Sequence, residues 1–313
     1  MKDRKNVETV GGQAVIEGVM LRDKKNYAVA VRKENGEIIS MKEAVVSVAD
    51  KHPILKKPFL RGMVNFIEQL KMGYGILIYS ANQNLKEGEK PEKESGWGMT
   101  LALIVALGFA ILLFKALPYG LTVLLGDLFK VKNIAVEKPI IFNIIAGVLK
   151  LSIFFLYIYA ISFMKDMRRM FQYHGAEHKV ANAYEAGETV TPESVKKYPT
   201  LHPRCGTTFM FLVLAIGVVV YIILQPFLMN LPGFKSLPKF MSNLAILAMQ
   251  IALLPIIAGI SYEVLKLAFR FEGNILLKAA IAPGLLFQKI STAEPDDSQI
   301  EVAIKSFTVL KGL

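Results

Sequence analysis

Apolar residues along this chain are concentrated in four long blocks, separated by segments rich in charged and polar residues. The blocks span residues 99–117, 140–164, 208–229 and 242–265. A helix that crosses a bilayer needs about 20 predominantly apolar residues. The pattern therefore predicts a mainly α-helical integral membrane protein with about four transmembrane helices, paired within residues 99–164 and 208–265.

Two shorter apolar stretches, at residues 72–81 and 275–287, fall short of that length. We expect both to lie at the membrane interface or to re-enter the bilayer, and Pro283 with Gly284 predicts a break in the second. Residues 61–98 are predicted to form an interfacial helix and a charged linker, and residues 266–313 an interfacial segment and a cytosolic tail.

Residues 1–60 have the composition of a small cytosolic β-rich domain. Asn35 and Gly36 form a strong hairpin-turn signal between two stretches with strand composition. Segment 11–20, GGQAVIEGVM, is a short apolar run with glycines near both ends. It is either a glycine-bounded strand or a loop that presents Gln13 or Glu17 to a site.

The net charge of +11 follows the apolar pattern. Of 37 Lys and Arg residues, 17 precede the first block, seven lie in 165–207 and six follow residue 265, whereas connections 118–139 and 230–241 carry three and two. Basic connections stay cytoplasmic, which predicts a multi-pass protein with both termini and segment 165–207 inside. The lipid bilayer is the expected partner; contacts with other membrane proteins and a homo-oligomer stay open. No basic patch with interleaved aromatic residues indicates nucleic-acid binding.

Two features bear on the compartment. The single cysteine excludes an intramolecular disulfide and suits a reducing environment. The residues after Met1 are polar, unlike the apolar core of a signal peptide.

His174 and His178 lie four residues apart with Glu177 between them, an H-x-x-E-H motif. On a helix, that spacing puts both rings on one face about 5.4 Å apart along the axis, so both can reach one metal ion. The same spacing occurs in inverted zincins, where the glutamate acts on a zinc-activated water. The alternative is a solvated helix with incidental histidines.

The remaining ligands would come from His202 and Cys205, an H-x-x-C pair. If four side chains bind a zinc ion, the site is structural; if three bind, water can take the fourth position and catalysis becomes possible. Glu185 lies about 10.5 Å from His178 along a helix axis, too far to share a metal ion directly. Arg204 could bind an anionic group or meet lipid headgroups.

Two of the ionisable residues within the apolar blocks are candidate functional residues. Glu263 could be a metal ligand, contact a substrate, or pair with Lys266 or Arg270. Lys150 lies near the middle of the second block, an energetically costly position for a charge. It is either solvated by an interior amide, from the set Asn143, Asn243 and Gln250, or marks a polar path.

Several of these segments together resemble the YqhQ-like family of bacterial membrane proteins. They are GGQAVIEGVM at 11–20, YHGAEHK at 173–179, HPRCGT at 202–207 and SYE at 261–263. The family is of unknown function and is commonly described as predicted metal-dependent enzymes. The resemblance covers nearly the whole chain and implies a bacterial plasma-membrane protein whose site comprises His174, Glu177, His178, His202 and Cys205.

Three functional hypotheses follow. The first is a metal-dependent hydrolase, with zinc as cofactor and Glu177 as general base, acting at the cytosolic membrane surface; Gln13, Glu17 and Glu263 would line the site. The second is a membrane scaffold or assembly factor with a structural His/Cys metal site. The third is a small oligomeric transporter that uses Lys150 and Glu263.

Overall fold

The computed structural model describes residues 9–85, 96–131, 134, 138–235, 237–271 and 274–313. Its strands are β1 (Gly11–Val15), β2 (Gly18–Arg22), β3 (Asn26–Arg32) and β4 (Ile38–Ala44). Among these residues, four longer helices lie outside the four apolar blocks: the surface helix (Leu60–Gln83), the motif helix (Lys165–Glu185), helix Ile275–Ser291 and the C-terminal helix (Asp297–Lys311). Short helices occupy Val48–Lys51, Pro53–Lys56, Pro192–Lys196 and Pro232–Lys235.

The four strands form one antiparallel sheet in the order β1-β2-β3-β4. Gly36 has a positive φ of 86° in the β3–β4 turn, which confirms the predicted hairpin. Segment 11–20 forms a second hairpin, since Val15 pairs with Gly18 around a two-residue turn. The expectation of one glycine-bounded strand is therefore wrong, and Glu17 occupies the turn with a φ of 51°.

Helices cover both faces of the sheet. The strands β2 and β3 are accordingly almost continuously apolar. Side chains such as Val19 and Leu21 pack against the motif helix and the C-terminal helix. Met20 and Val29, which point the other way along their strands, pack against the surface helix around Ile76. Strands covered on two faces lose the polar alternation that a solvated face would give.

Four helices are long and apolar enough to cross a membrane, as predicted from their length and composition. They are span 1 (Ile104–Leu128), span 2 (Ile140–Ile161), span 3 (Gly206–Met229) and span 4 (Leu244–Ala268). Span 1 continues past the predicted end at Leu117. A π-helical turn at Leu112–Ala116 comes directly before Pro118, and such a turn changes the hydrogen-bond register, so the proline does not end the helix.

Helix Ile275–Ser291 runs unbroken through Pro283, so the predicted break is wrong. The helix lies beside spans 2 and 3. The ring of Phe287 stacks on that of Phe154 in span 2, with centroids 4.9 Å apart. A Cβ on Gly284 would lie 2.8 Å from Thr208 Cγ2 in span 3. The helix therefore packs closely against span 3 at Gly284, at the position where the sequence predicts a break.

The C-terminal helix is part of the core rather than a solvated tail. Asp296 and Gln299 form a capping box at its start, and Phe307 and Leu310 are buried against the sheet. The β-rich unit predicted at 1–60 therefore shares its hydrophobic core with residues from the other end of the chain.

Phe307→Ala tests this shared core. The ring is 4% exposed and packs 5.0 Å from the ring of Tyr184 on the motif helix. Removing it should lower the free energy of unfolding by about 3–5 kcal/mol, measured as thermal unfolding of the detergent-solubilised protein. Lys305→Ala, an exposed position on the same helix, should change stability little; equal effects of the two changes would contradict the packing.

Candidate metal centre

The motif helix has one apolar side and one polar side. Tyr173, Ala176, Val180 and Ala183 recur at helical spacing and join the core beneath the sheet. The opposite side carries the two motif histidines, whose ring centroids are 4.4 Å apart. The helix ends at Glu185, and Gly187 takes a φ of 80° just after the last turn.

His174, His178 and Cys205 come together at this side of the helix. Each offers a donor atom, and the three atoms lie within 4.8 Å of one another. Donor atoms around a tetrahedral zinc ion are roughly 3.4–3.8 Å apart, given bond lengths of about 2.0–2.3 Å. The cluster thus needs only a small contraction to hold such an ion.

Hydrogen bonds to backbone carbonyls orient both rings. Nδ1 of His174 donates to the carbonyl of Ser291 over 2.8 Å, and Nδ1 of His178 donates to the carbonyl of Thr200. Each Nε2 is therefore left with a lone pair that faces the cluster. This is the outer-shell arrangement that metal-binding histidines use.

Of the two histidines, His178 has the environment that more strongly indicates a metal ligand. Its Nε2 is buried and has no hydrogen-bond partner among the described residues. Burial lowers the pKa of His178 and outweighs the opposing effect of Cys205, so the ring is neutral near pH 7, as metal ligation requires. Nε2 of His178 thus has a buried lone pair without a hydrogen-bond partner among the described residues, close to two other atoms that can bind a metal. This arrangement fits a metal ion.

Cys205 reaches the cluster from the start of span 3. It caps the N-terminus of that helix, where its Sγ accepts a hydrogen bond from the Thr207 amide over 3.3 Å. Sγ also lies 3.2 Å from Nε2 of His174. A helix N-terminus favours negative charge, which suits a thiolate ligand.

Glu177 is 4% exposed and lies between the cluster and the sheet. Its Oε2 is 3.4 Å from Nε2 of His178. A Cβ on Gly12 of β1 would come within 3.0 Å of Glu177 Oε1, so the glycine admits the carboxyl group. Burial raises the pKa of Glu177, and a divalent cation beside it would lower that pKa again.

His202 is buried beside the cluster, with its ring centroid 5.6 Å from that of His178. Its Nε2 lies 3.2 Å from Oε2 of Glu185, which also pairs with Arg204. Burial alone would raise the pKa of Glu185, but contacts with His202 and Arg204 outweigh it and hold that pKa below its usual value. Glu185 thus orients His202 and stays outside the cluster, as its helical position predicts.

Gln13 and Glu17 were predicted to line the site, and their described hydrogen bonds are with other residues. Nε2 of Gln13 donates to the carbonyl of Gly73 in the surface helix over 3.3 Å. Glu17 pairs with Arg169 and accepts a hydrogen bond of 3.1 Å from the Tyr173 hydroxyl. Both residues position the sheet against helices that carry or flank the cluster.

Glu263 and Lys150 also have partners away from the histidines. Glu263 makes a two-point ion pair with Arg61 of the surface helix, over 2.8 and 2.6 Å. This pair replaces the expected ones with Lys266 or Arg270. Lys150 Nζ lies 5.5 Å from the ring centroid of Tyr221 in span 3.

Gln288 is a site residue that the sequence analysis missed. Its amide accepts from the His202 backbone amide over 2.9 Å and donates to the His202 carbonyl over 2.8 Å. It thereby fixes the loop that carries His202 and Cys205. The signal was present, since Gln288 is the one side-chain amide within the mostly apolar stretch 275–291.

These observations define a multi-span membrane protein with a buried His/Cys cluster beside a small sheet. The chain belongs to the DUF1385 family, described as protein of unknown function, whose model matches residues 57–312. It is 33% identical to the uncharacterized protein YqhQ of Bacillus subtilis strain 168, over 100% of this chain and 95% of that protein. The resemblance found in the sequence motifs is confirmed. No solved structure matches the chain.

Gly175→Ala tests the close approach that positions His174. A Cβ there would lie 2.0 Å from the carbonyl oxygen of Ala293, so the methyl group must push away the segment that accepts the His174 hydrogen bond. We expect a loss of roughly 3 kcal/mol of stability, at the upper end for overpacking, measured by thermal unfolding. Gly206→Ala, with nothing within 4 Å of the added Cβ, is the matched control. Wild-type stability of Gly175→Ala would show that the contact does not constrain the helix.

Proposed function

We propose that this protein is a metal-dependent hydrolase with a zinc-type site held by His174, His178 and Cys205. The observation that carries the proposal is the convergence of these three donor atoms within 4.8 Å, one of them the unpartnered Nε2 of His178. Neutral imidazole and thiolate are ligands that zinc favours.

The number of ligands favours catalysis over a purely structural role. His202, the fourth candidate, directs its Nε2 to Glu185, which leaves three donors in the cluster. A zinc ion held by three protein ligands supplies a Lewis acid and an activated water at the remaining position.

Glu177 is the proposed general base. Its carboxyl oxygen lies 3.4 Å from a donor atom of the cluster, within reach of a water molecule at the open position. It would take the proton as the water attacks and return it to the leaving group. The burial that β1 imposes on Glu177 keeps bulk water from competing for this proton.

The substrate is proposed to be membrane-associated, either a lipid headgroup or a peptide segment near the bilayer. The motif helix begins four residues after span 2 ends, and Cys205 immediately precedes span 3, so the cluster adjoins the ends of two spans. Ile67 and Leu70 of the surface helix are 58% and 60% exposed, as for a helix lying in the interface. The distribution of basic residues supports the cytoplasmic side of a bacterial plasma membrane as the position of this end.

Elemental analysis tests metal binding directly. Full-length protein purified in detergent without chelator should contain about one zinc ion per chain, and His178→Ala should lose it. His52→Ala is the control, since His52 is an exposed histidine outside the cluster. Wild-type protein free of metal after growth in zinc-supplemented medium would contradict the proposal.

Glu177→Gln separates catalysis from a structural site. We expect zinc content to persist while hydrolysis falls by about 10²–10⁴-fold, the usual contribution of a general base. The zinc-loaded protein would be incubated with phosphatidylethanolamine–phosphatidylglycerol vesicles and with membrane-inserted peptides, and products detected by mass spectrometry. Glu188→Gln, at an exposed position just after the end of the motif helix, should keep wild-type activity. Full activity in Glu177→Gln would overturn the assigned role, and no turnover of either substrate by wild type would contradict hydrolysis.

A further inference from the structure

A cavity of about 90 Å³ lies among all four spans. Its polar lining comes from each of them: Lys115 from span 1, Asn143 and Lys150 from span 2, Tyr221 and Gln225 from span 3, and Gln250 from span 4. Tyr221 lies 15 residues beyond the start of span 3, about 22 Å along the helix axis. The cavity is therefore separate from the His/Cys cluster, which adjoins that start.

Positive charge dominates this cavity. Two lysines line it, and no aspartate or glutamate is among its described lining residues. Lys115 and Lys150 both lie near the middle of their spans, the depth at which a charged side chain is most costly and usually functional. Lys115 also belongs to the π-helical turn of span 1, a distortion found frequently at functional sites.

Apart from each other, the two ammonium groups have polar but uncharged neighbours among the described lining residues. Lys115 Nζ donates to Oε1 of Gln250 over 3.1 Å, and Lys150 Nζ faces the ring of Tyr221 at 5.5 Å. A third donor, Nδ2 of Asn143, is buried without a hydrogen-bond partner among the described residues. The cavity thus offers several donors and lacks a negative group to satisfy them.

We propose that this cavity is a binding site for a phosphate group, carried either by a free phosphate ion or by a phospholipid that enters from the bilayer. A phosphate supplies acceptors to both lysines and to Asn143, and its negative charge offsets the positive charge of the lining. A cavity needs roughly 10–15 Å³ to hold one water molecule. The volume of about 90 Å³ therefore holds on the order of six water-sized groups, enough for the five heavy atoms of a phosphate.

The test measures phosphate binding by the full-length, EDTA-treated protein, so that the His/Cys cluster holds no metal. One arm is equilibrium dialysis of delipidated protein in detergent against radiolabelled inorganic phosphate. The other is native mass spectrometry of protein from nanodiscs, comparing phosphatidylglycerol with a neutral glycolipid. The variant is the double change Lys115→Met with Lys150→Met, and Lys278→Met, an exposed lysine on helix Ile275–Ser291, is the matched control.

Wild type and the control should retain about one phosphate group per chain in one of the two arms, and that arm identifies the source. The double variant should bind at least ten-fold more weakly. If the double variant fails to fold, Asn143→Leu removes the third donor without changing charge and should weaken binding. Wild type that binds neither inorganic phosphate nor phosphatidylglycerol, or variants that bind as wild type does, would overturn the site.

Discussion

Burial of three consecutive polar residues in the motif helix is the constraint on which the rest of the structure depends. Glu177, His178 and Lys179 are consecutive and are 4%, 1% and 3% exposed. A buried polar group without a partner costs about 1–3 kcal/mol. The segments packed against these three residues therefore supply hydrogen-bond or ion-pair partners. Lys179 contacts the Lys196 carbonyl and Glu294, and His178 contacts the Thr200 carbonyl. The motif helix thereby contacts the sheet, the loop before span 3 and the segment before the C-terminal helix.

The surface helix joins this assembly to the spans through shape more than through charge. A Cβ on Gly62 would lie 2.9 Å from Gly259 Cα of span 4, and a Cβ on Gly259 would lie 2.8 Å from the Phe59 carbonyl oxygen. Two helices approach this closely only where both lack side chains. The adjacent ion pair of Arg61 with Glu263 has two contacts, and such a bidentate pair adds a fixed geometry between the surface helix and span 4.

Local signals in the sequence predicted the local features well. Apolar length gave the four spans, the turn chemistry of Asn35 and Gly36 gave one hairpin, and histidine spacing gave the shared face of His174 and His178. Contacts between distant residues could not be predicted, since no periodic pattern links Arg61 to Glu263 or Phe307 to the sheet. The predicted span end at residue 117 and the predicted break at Pro283 were wrong because a proline bends a helix in some contexts without ending it, and the sequence does not distinguish the two outcomes. Lys115 was overlooked because the predicted block ends at residue 117, which puts this lysine at the end of a span, whereas span 1 runs to Leu128 and has it in the middle.

Unsatisfied polar atoms connect the two proposed sites by a common physical argument. Among the described residues, the buried side-chain atoms without a hydrogen-bond partner are Nε of Arg32, Nδ2 of Asn143, Nε2 of His178 and Oε1 of Glu185. Native structures retain few such atoms, and each calls for an explanation. Nε2 of His178 belongs to the three-donor cluster, and Glu185 lies directly behind it. Nδ2 of Asn143 lines the lysine cavity. Under the two proposals, a cation at the first site and an anion at the second would each give a partner to one of these four atoms.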